Sequence, residues 1–175
     1  MPQKVLVTAE QIQRRVKELG QQISREYAGK NLMLICVLEN GFVFAADLLR
    51  AIEIPVQCQF VRPQRKAKGN GGAVEIFYGP EFDVKGKDVL LVEGLIQSGQ
   101  TSEFLLRTML SWGASSAKLA ALIDKQNARR VPIQPDYFGF LLDETFIVGY
   151  GMGDPVYGRN LPFIANEKPV NSDKQ

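Results

Sequence analysis

The chain has 175 residues, 45% of them hydrophobic and 23% charged, which suits one domain with one sizeable core and excludes a disordered chain. Lys plus Arg number 21 against 19 acidic residues, and a formal +2 is too small by itself to indicate a nucleic-acid or membrane partner. There is no histidine, which excludes a Ser-His-Asp triad, a Cys-His pair and an H-E-x-x-H zinc site, and leaves acid–base chemistry to carboxylates, Lys, Tyr or Cys.

Thr8-Ala9-Glu10-Gln11 reads as a helix start, with Thr8 as N-cap and Gln11 completing a capping box. Ile12, Val16, Leu19, Ile23 and Tyr27 follow at spacings of three or four, one apolar stripe that predicts a helix over 9–27. Leu32 to Leu38 is a continuous apolar run between Asn31 and Asn40-Gly41, short enough for a strand buried on both faces of a parallel sheet. A second helix is predicted over 42–52 and a second strand over 56–61.

The segment Arg62 to Gly72 has no apolar periodicity and carries Arg62, Arg65, Lys66 and Lys68 ahead of its glycines. It reads as a mobile loop or a hairpin tip, its charges serving a phosphate or simply solvating the loop. Asp88 to Glu93 is the next buried strand, Ser98 to Thr101 a turn, and Thr101 to Trp112 a helix stopped by Gly113. Further strands are predicted over 118–124, 137–142 and 146–148. Strands alternating with helices predict an α/β fold with a mostly parallel sheet. No linker divides 1–168, and 169–175 reads as a polar tail.

Cys36 and Cys58 lie inside apolar, strand-like runs and read as small buried hydrophobes rather than a disulfide or metal site. No apolar stretch approaches the roughly 20 residues of a membrane span, and Met1 to Val7 lacks the length of a signal peptide. A cytoplasmic protein with no membrane partner is the expectation. No helix carries a basic face, so no nucleic-acid partner is expected either.

In open α/β sheets ligands bind beyond the carboxyl ends of strands. Val89 to Thr101 places a hydroxyl-rich, Gly-containing turn there, leading into a helix. Backbone N–H groups at such a start, with the Ser98 and Thr101 hydroxyls, make a phosphate cradle; Ser and Gly as ordinary caps explain the same turn.

That segment resembles the phosphoribosyl-pyrophosphate (PRPP) motif of type I phosphoribosyltransferases, and the whole chain is similar to the hypoxanthine-guanine phosphoribosyltransferase family. Four blocks carry the resemblance in order: Val37 to Leu48; Val89 to Thr101; Leu122-Ile123-Asp124-Lys125 with Arg129-Arg130; and Asp136 to Phe140 running on to Phe146 to Gly151 and Arg159 to Pro162. The resemblance implies a mostly parallel sheet flanked by helices, with a small hood and a mobile loop. It implies attack of a purine base on C1 of PRPP, giving a nucleoside 5′-monophosphate and pyrophosphate, with Mg²⁺ on the leaving group.

By position, Ser98, Gly99, Gln100 and Thr101 would hold the 5′-phosphate. Lys125 would donate to the purine 6-oxo group, Phe146 would stack on the ring, and Ile147 would offer backbone contacts to the base. Without the resemblance, Lys125 reads as a solvated loop lysine and Phe146 as a core aromatic. Arg159, Glu39 and Asn40 stand on the pyrophosphate side. The expected partners are a purine base or purine nucleotide and PRPP, and by resemblance alone a second copy of the chain, as a homodimer or homotetramer.

Departures from the family pattern concentrate on one side of the site. The family has two adjacent acids followed three residues later by a third; here the sequence has Glu93, Gly94 and Gln97. Gln97 stands at the general-base position, and an amide cannot take the purine N7 proton. Losing a positioned acid–base group costs about 10²–10⁴-fold in rate. Gln100 replaces a lysine, Glu39-Asn40 replaces lysine-glycine, and Gly153 replaces a metal-binding aspartate, with Asp154 adjacent. The metal would fall to Glu93 and Asp154. The family's mobile-loop Ser-Tyr pair is not recognisable between Arg62 and Tyr78. Transfer is therefore expected to be weak, and the alternative is an inactive homologue that binds purine nucleotides or a protein partner.

Overall fold

The capping box at Thr8 forms as the sequence requires: Thr8 Oγ1 accepts from the Gln11 amide at 3.3 Å, and the Thr8 amide donates to Gln11 Oε1 at 2.8 Å. Helix α1 (Ala9–Glu26) then buries Ile12, Val16, Leu19 and Ile23, the predicted stripe. The computed structural model of the protein describes residues 4–65, 74–144, 146–153 and 157–166. The polar tail, Asp154 and the 66–72 part of the cationic segment lie outside them.

The remaining elements, in chain order, are β1 (Lys4–Val7) before α1, then β2 (Leu32–Val37), α2 (Phe42–Ala51), β3 (Gln57–Arg65), β4 (Val74–Tyr78) and β5 (Asp88–Ile96). They continue as α3 (Gln100–Ser111), β6 (Ser116–Asp124), β7 (Tyr137–Leu141), β8 (Ile147–Val148) and β9 (Ile164–Asn166). The main sheet has the order β4-β3-β2-β5-β6-β7, with β3, β2, β5, β6 and β7 parallel and β4 antiparallel at one edge. A second, antiparallel sheet of order β1-β9-β8 forms the hood.

All six residues of β2 are buried, because helices cover both faces of the sheet. Its side chains alternate: Leu34 and Cys36 join the core beneath α1 and α2, whereas Met33, Ile35 and Val37 join the core beneath α3. The helices on the first face approach closely. A Cβ on Gly20 of α1 would lie 2.4 Å from the Ala51 carbonyl oxygen at the end of α2, so the crossing depends on glycine there.

Four differences from the sequence reading stand out. The segment follows the hairpin alternative, but Arg62 and Arg65 belong to β3, paired with Phe77 and Val74 of β4, rather than to its tip. The antiparallel partner supplies backbone hydrogen bonds that an aperiodic sequence does not advertise. Strand β5 runs on to Ile96, α3 begins one residue earlier than predicted, and β1, β4 and β9 are additional. The pairing of β1 with β9 joins the two ends of the described chain, a contact no local window contains.

The hood is tied to the main body through α2. The Tyr150 hydroxyl donates to the Asp47 carboxylate, and Tyr150 adopts the left-handed backbone region at φ 50°. The Tyr150 amide donates to the Leu161 carbonyl at 2.8 Å and the Gly151 amide to the Arg159 carbonyl at 2.9 Å. Those contacts carry Met152 and Arg159 over the carboxyl ends of β2 and β5. Among the described residues, no helix is long and apolar enough to cross a membrane.

Candidate active site

From β2 the chain moves outward to β3 and β4, then returns to β5 on the other side of β2. That reversal opens a crevice beyond the carboxyl ends of β2 and β5, the place where α/β sheets bind ligands. The loop 38–41 walls one side and the turn 97–99 the other. Strand β5 passes close against the first of these: a Cβ on Gly94 would lie 2.1 Å from the Asn40 carbonyl oxygen and 3.1 Å from Met152 Cγ. Position 94 admits no side chain while the loop keeps this path.

Glu93 is buried next to it, with Oε1 lacking a hydrogen-bond partner among the described residues. Burial raises its carboxyl to about 7, against smaller opposing effects of a hydrogen bond with Ser102 and the charge of Arg129. The strand stays paired to Ile96, and Gln97, the first residue past it, is exposed at the mouth of the crevice.

The phosphate-side residues form one turn. Gly99, left-handed at φ 76°, is the N-cap of α3, and Ser98 Oγ accepts from the Gln100 amide at 3.4 Å. Gly99, the N-cap, has no side chain to cap with, and the start of this twelve-residue helix, with Ser98 and Thr101 beside it, is the end where an anion is stabilised. A Cβ on Gly99 would meet Ile133 Cγ2 at 2.4 Å, so the segment after β6 leans on the turn.

Arg129 organises that lean. Its guanidinium pairs with the Asp124 carboxylate, 1% exposed, and donates from Nη1 to the Gln97 carbonyl at 2.9 Å. The neighbouring Arg130 amide donates to the Ser98 carbonyl at 2.9 Å. Sequence reasoning quoted Arg129 but gave it no role; the available signal was Asp124, an acid ending an apolar strand, which requires a buried partner.

On the base side, Lys125 follows β6, and its amide donates to the Ile96 carbonyl at 3.0 Å. Its side chain is 4% exposed; burial lowers its ammonium, while Glu144 and Asp143 oppose the shift. A solvated loop lysine is therefore not what the structure contains. Phe146 is 46% exposed and Ile147 is buried in β8, so the Phe146 ring is not a core aromatic and remains open to stacking.

The pyrophosphate side holds a second arrangement the sequence did not reveal. Glu39 Oε1 pairs with Arg62 Nη2 at 3.0 Å, and Glu39 Oε2 accepts from Arg159 Nη1 at 2.9 Å. The Arg159 hydrogen bond, then the charges of Arg62 and Arg159, hold the Glu39 carboxyl below the usual carboxylate range. Asn40 is exposed beside it.

Among the described residues, the end of β5 offers a single carboxylate toward a magnesium ion. Glu93 is buried and partly protonated near neutral pH, its neighbour is a glycine without room for an acid, and no three acidic or sulfur side chains gather among the described residues. Asp154, the other carboxylate expected to reach the metal, is outside them.

Glu93 gives the fold a pH signature. In metal-free buffer the folded chain retains a proton between 4.5 and about 7 that the unfolded chain releases, so stability falls as pH rises through that window. The Glu93 contribution is expected to change by on the order of 3 kcal/mol across it. Urea unfolding of Glu93→Gln and the unsubstituted chain at several pH values measures the difference; parallel curves would remove the effect.

The comparisons agree with this geometry. A family model, the phosphoribosyl transferase domain, matches residues 3–154. The chain is 35% identical over 170 residues to the hypoxanthine-guanine phosphoribosyltransferase of Bacillus subtilis, covering 96% of this chain and 94% of that protein. It is 36% identical over 169 residues to the bifunctional protein TilS/HprT of Listeria innocua, covering 95% of this chain but only 26% of that longer protein. A crystal structure of a hypoxanthine-guanine phosphoribosyltransferase from Bacillus anthracis superposes with a TM-score of 0.86 at 36% identity, covering 95% of this chain and 98% of that one. A hypoxanthine phosphoribosyltransferase from Staphylococcus aureus gives a TM-score of 0.88 at 32% identity, covering 95% and 91%. With near-complete coverage in sequence and in fold, and a crevice lined by the ordered motifs that first suggested the likeness, the chain belongs to the hypoxanthine-guanine phosphoribosyltransferase family.

Proposed function

We propose that this protein is a purine phosphoribosyltransferase of slow turnover, joining hypoxanthine or guanine to the ribosyl group of PRPP to give a nucleoside 5′-monophosphate and pyrophosphate. The 5′-phosphate sits on the turn Ser98, Gly99, Gln100 and Thr101, at the positive N-terminal end of α3. The purine lies between the Phe146 ring and the Lys125 ammonium, with Ile147 backbone groups at its edge. These parts supply position and electrostatics, which by themselves lower a barrier substantially.

One observation carries the slow-turnover reading: the end of β5 offers a buried Glu93, a Gly94 closed by the Asn40 carbonyl, and an amide at Gln97. No group there accepts the purine proton as it leaves. Mg²⁺, where the family chemistry uses it, would add charge neutralisation to the leaving pyrophosphate; Asp154 is the remaining carboxylate for it. A homodimer or homotetramer and a cytoplasmic location belong to the same reading.

A second reading, a purine-monophosphate binder without turnover, is favoured by the neutralisation of Arg62 and Arg159 by Glu39. The full chain is assayed for inosine or guanosine monophosphate formation from base and PRPP, with and without Mg²⁺. Slow synthesis, well below the ordinary 1–10³ s⁻¹ of enzymes at roughly that scale, supports the first reading. Ordinary turnover overturns the claim of impairment. No synthesis together with monophosphate binding selects the second.

A further inference from the structure

Two guanidinium groups from separate parts of the fold, one on β3 and one in the connection between β8 and β9, converge on opposite oxygens of the same carboxylate. Arg62 meets Glu39 Oε1 at 3.0 Å and Arg159 meets Oε2 at 2.9 Å, while Arg159 also reaches the Gly153 carbonyl at 3.4 Å from Nε. Two cations facing one two-oxygen anion is the arrangement that binds a phosphoryl group. Here the chain supplies its own anion, on the loop that walls the crevice.

We propose that Glu39 is a built-in anion occupying the Arg62–Arg159 cradle and that it determines which phosphoryl ligands the crevice accepts. A ligand with a single phosphate, seated at the start of α3, is retained. A ligand that also carries pyrophosphate on the opposite wall must first displace the Glu39 carboxylate. This selectivity rests on the nucleotide-binding reading above and adds to it the residue that discriminates between monophosphate and pyrophosphate.

The charge arithmetic supports the direction. With Glu39 in place the three side chains sum to +1, and the carboxylate itself repels an incoming anion; without it the cradle presents +2. Both guanidinium groups are engaged by the carboxylate rather than turned toward a ligand. An ordinary surface ion pair is weak and easily exchanged. This one differs in being held from two sides and in lining a crevice rather than an open helix face. The 43% exposure of the Glu39 side chain leaves a path for it to swing out.

Isothermal titration of the full chain with inorganic pyrophosphate, and separately with inosine monophosphate, tests the assignment. Glu39→Gln removes the charge and keeps the shape, and Glu39→Ala repeats the test should the first variant misfold. Glu18→Gln, which breaks the Arg15–Glu18 pair on the surface of α1, controls for the loss of one acid. Glu39→Gln is expected to bind pyrophosphate about tenfold more tightly or better, with the gain shrinking as salt shortens the reach of charge, while Glu18→Gln matches the unsubstituted chain. Equal pyrophosphate affinity in the Glu39 variants and the unsubstituted chain, with inosine monophosphate still bound, overturns this inference alone. Failure of the unsubstituted chain to bind inosine monophosphate overturns the nucleotide-binding reading and this selectivity together.

Discussion

Gln97→Asp is expected to raise the rate of nucleotide synthesis by about 10²-fold, and adding Gly94→Asp is expected to erase the gain. The first half follows from the place of Gln97, exposed at the mouth of the crevice, where a carboxylate restores a proton acceptor without disturbing the core. Positioned acid–base groups contribute about 10²–10⁴-fold, and the lower end applies because the new carboxylate stays solvated and holds a proton weakly. The second half follows from the space around Gly94. A Cβ there would lie 2.1 Å from a backbone oxygen, so the 38–41 loop must move, and the added charge would enter a buried pocket beside Glu93. A cost on the order of 3 kcal/mol in stability is expected. Steady-state kinetics with a thermal melt for each variant measures both effects. A double variant that is stable and faster than Gln97→Asp would show that the Asn40 loop yields freely, and the closure of position 94 would then not limit this site.

Arg129→Met is expected to destabilise the fold by about 3–5 kcal/mol, because it leaves the Asp124 carboxylate buried without its cation. Asp124 is 1% exposed, and Arg129 is its ion-pair partner. The same substitution removes the donor to the Gln97 carbonyl and loosens the turn that carries Ser98 and Gly99. Monophosphate affinity should therefore fall with stability. Asp124→Leu combined with Arg129→Met should recover most of the stability, since an apolar pair avoids the uncompensated charge. Urea unfolding of the single and double variants checks this. Additive losses would mean that the two side chains are not energetically coupled and that burial at this point is less complete than the geometry indicates.

The helices and buried strands of the main sheet were legible because each rests on a local pattern. The Thr8 capping box and the stripe Ile12 to Tyr27 define α1, and the run Leu32 to Val37 defines a strand covered on both faces. Strands β1 and β9 were not legible, since each is short and finds its partner at the far end of the described chain. Arg62 read as loop or hairpin tip because its neighbours lack alternation, and pairing with Phe77 places it in an arm of the hairpin.

The candidate site divides the same way. Ser98 to Thr101, Lys125 and Phe146 were legible as motif positions, because the family resemblance fixes residue types in order along the chain. The substitutions at positions 94 and 97 were equally visible in the sequence. What the sequence could not express is why position 94 is glycine: the reason is a carbonyl oxygen contributed by Asn40, more than fifty residues away.

The sequence by itself determined the family, the helices and buried parallel strands of the main sheet, and the absence of an acid–base residue at Gln97, all of which are written in residue identity and local spacing. The tertiary structure alone decided that Glu39 pairs with Arg62 and Arg159, that Asp124 and Arg129 brace the turn at 97–99, and that burial raises the Glu93 carboxyl. The physical reason is that charge partnership and desolvation are properties of neighbours in space. A carboxylate has the same letters whether it faces water, two guanidinium groups or a sealed pocket, and folding selects among them.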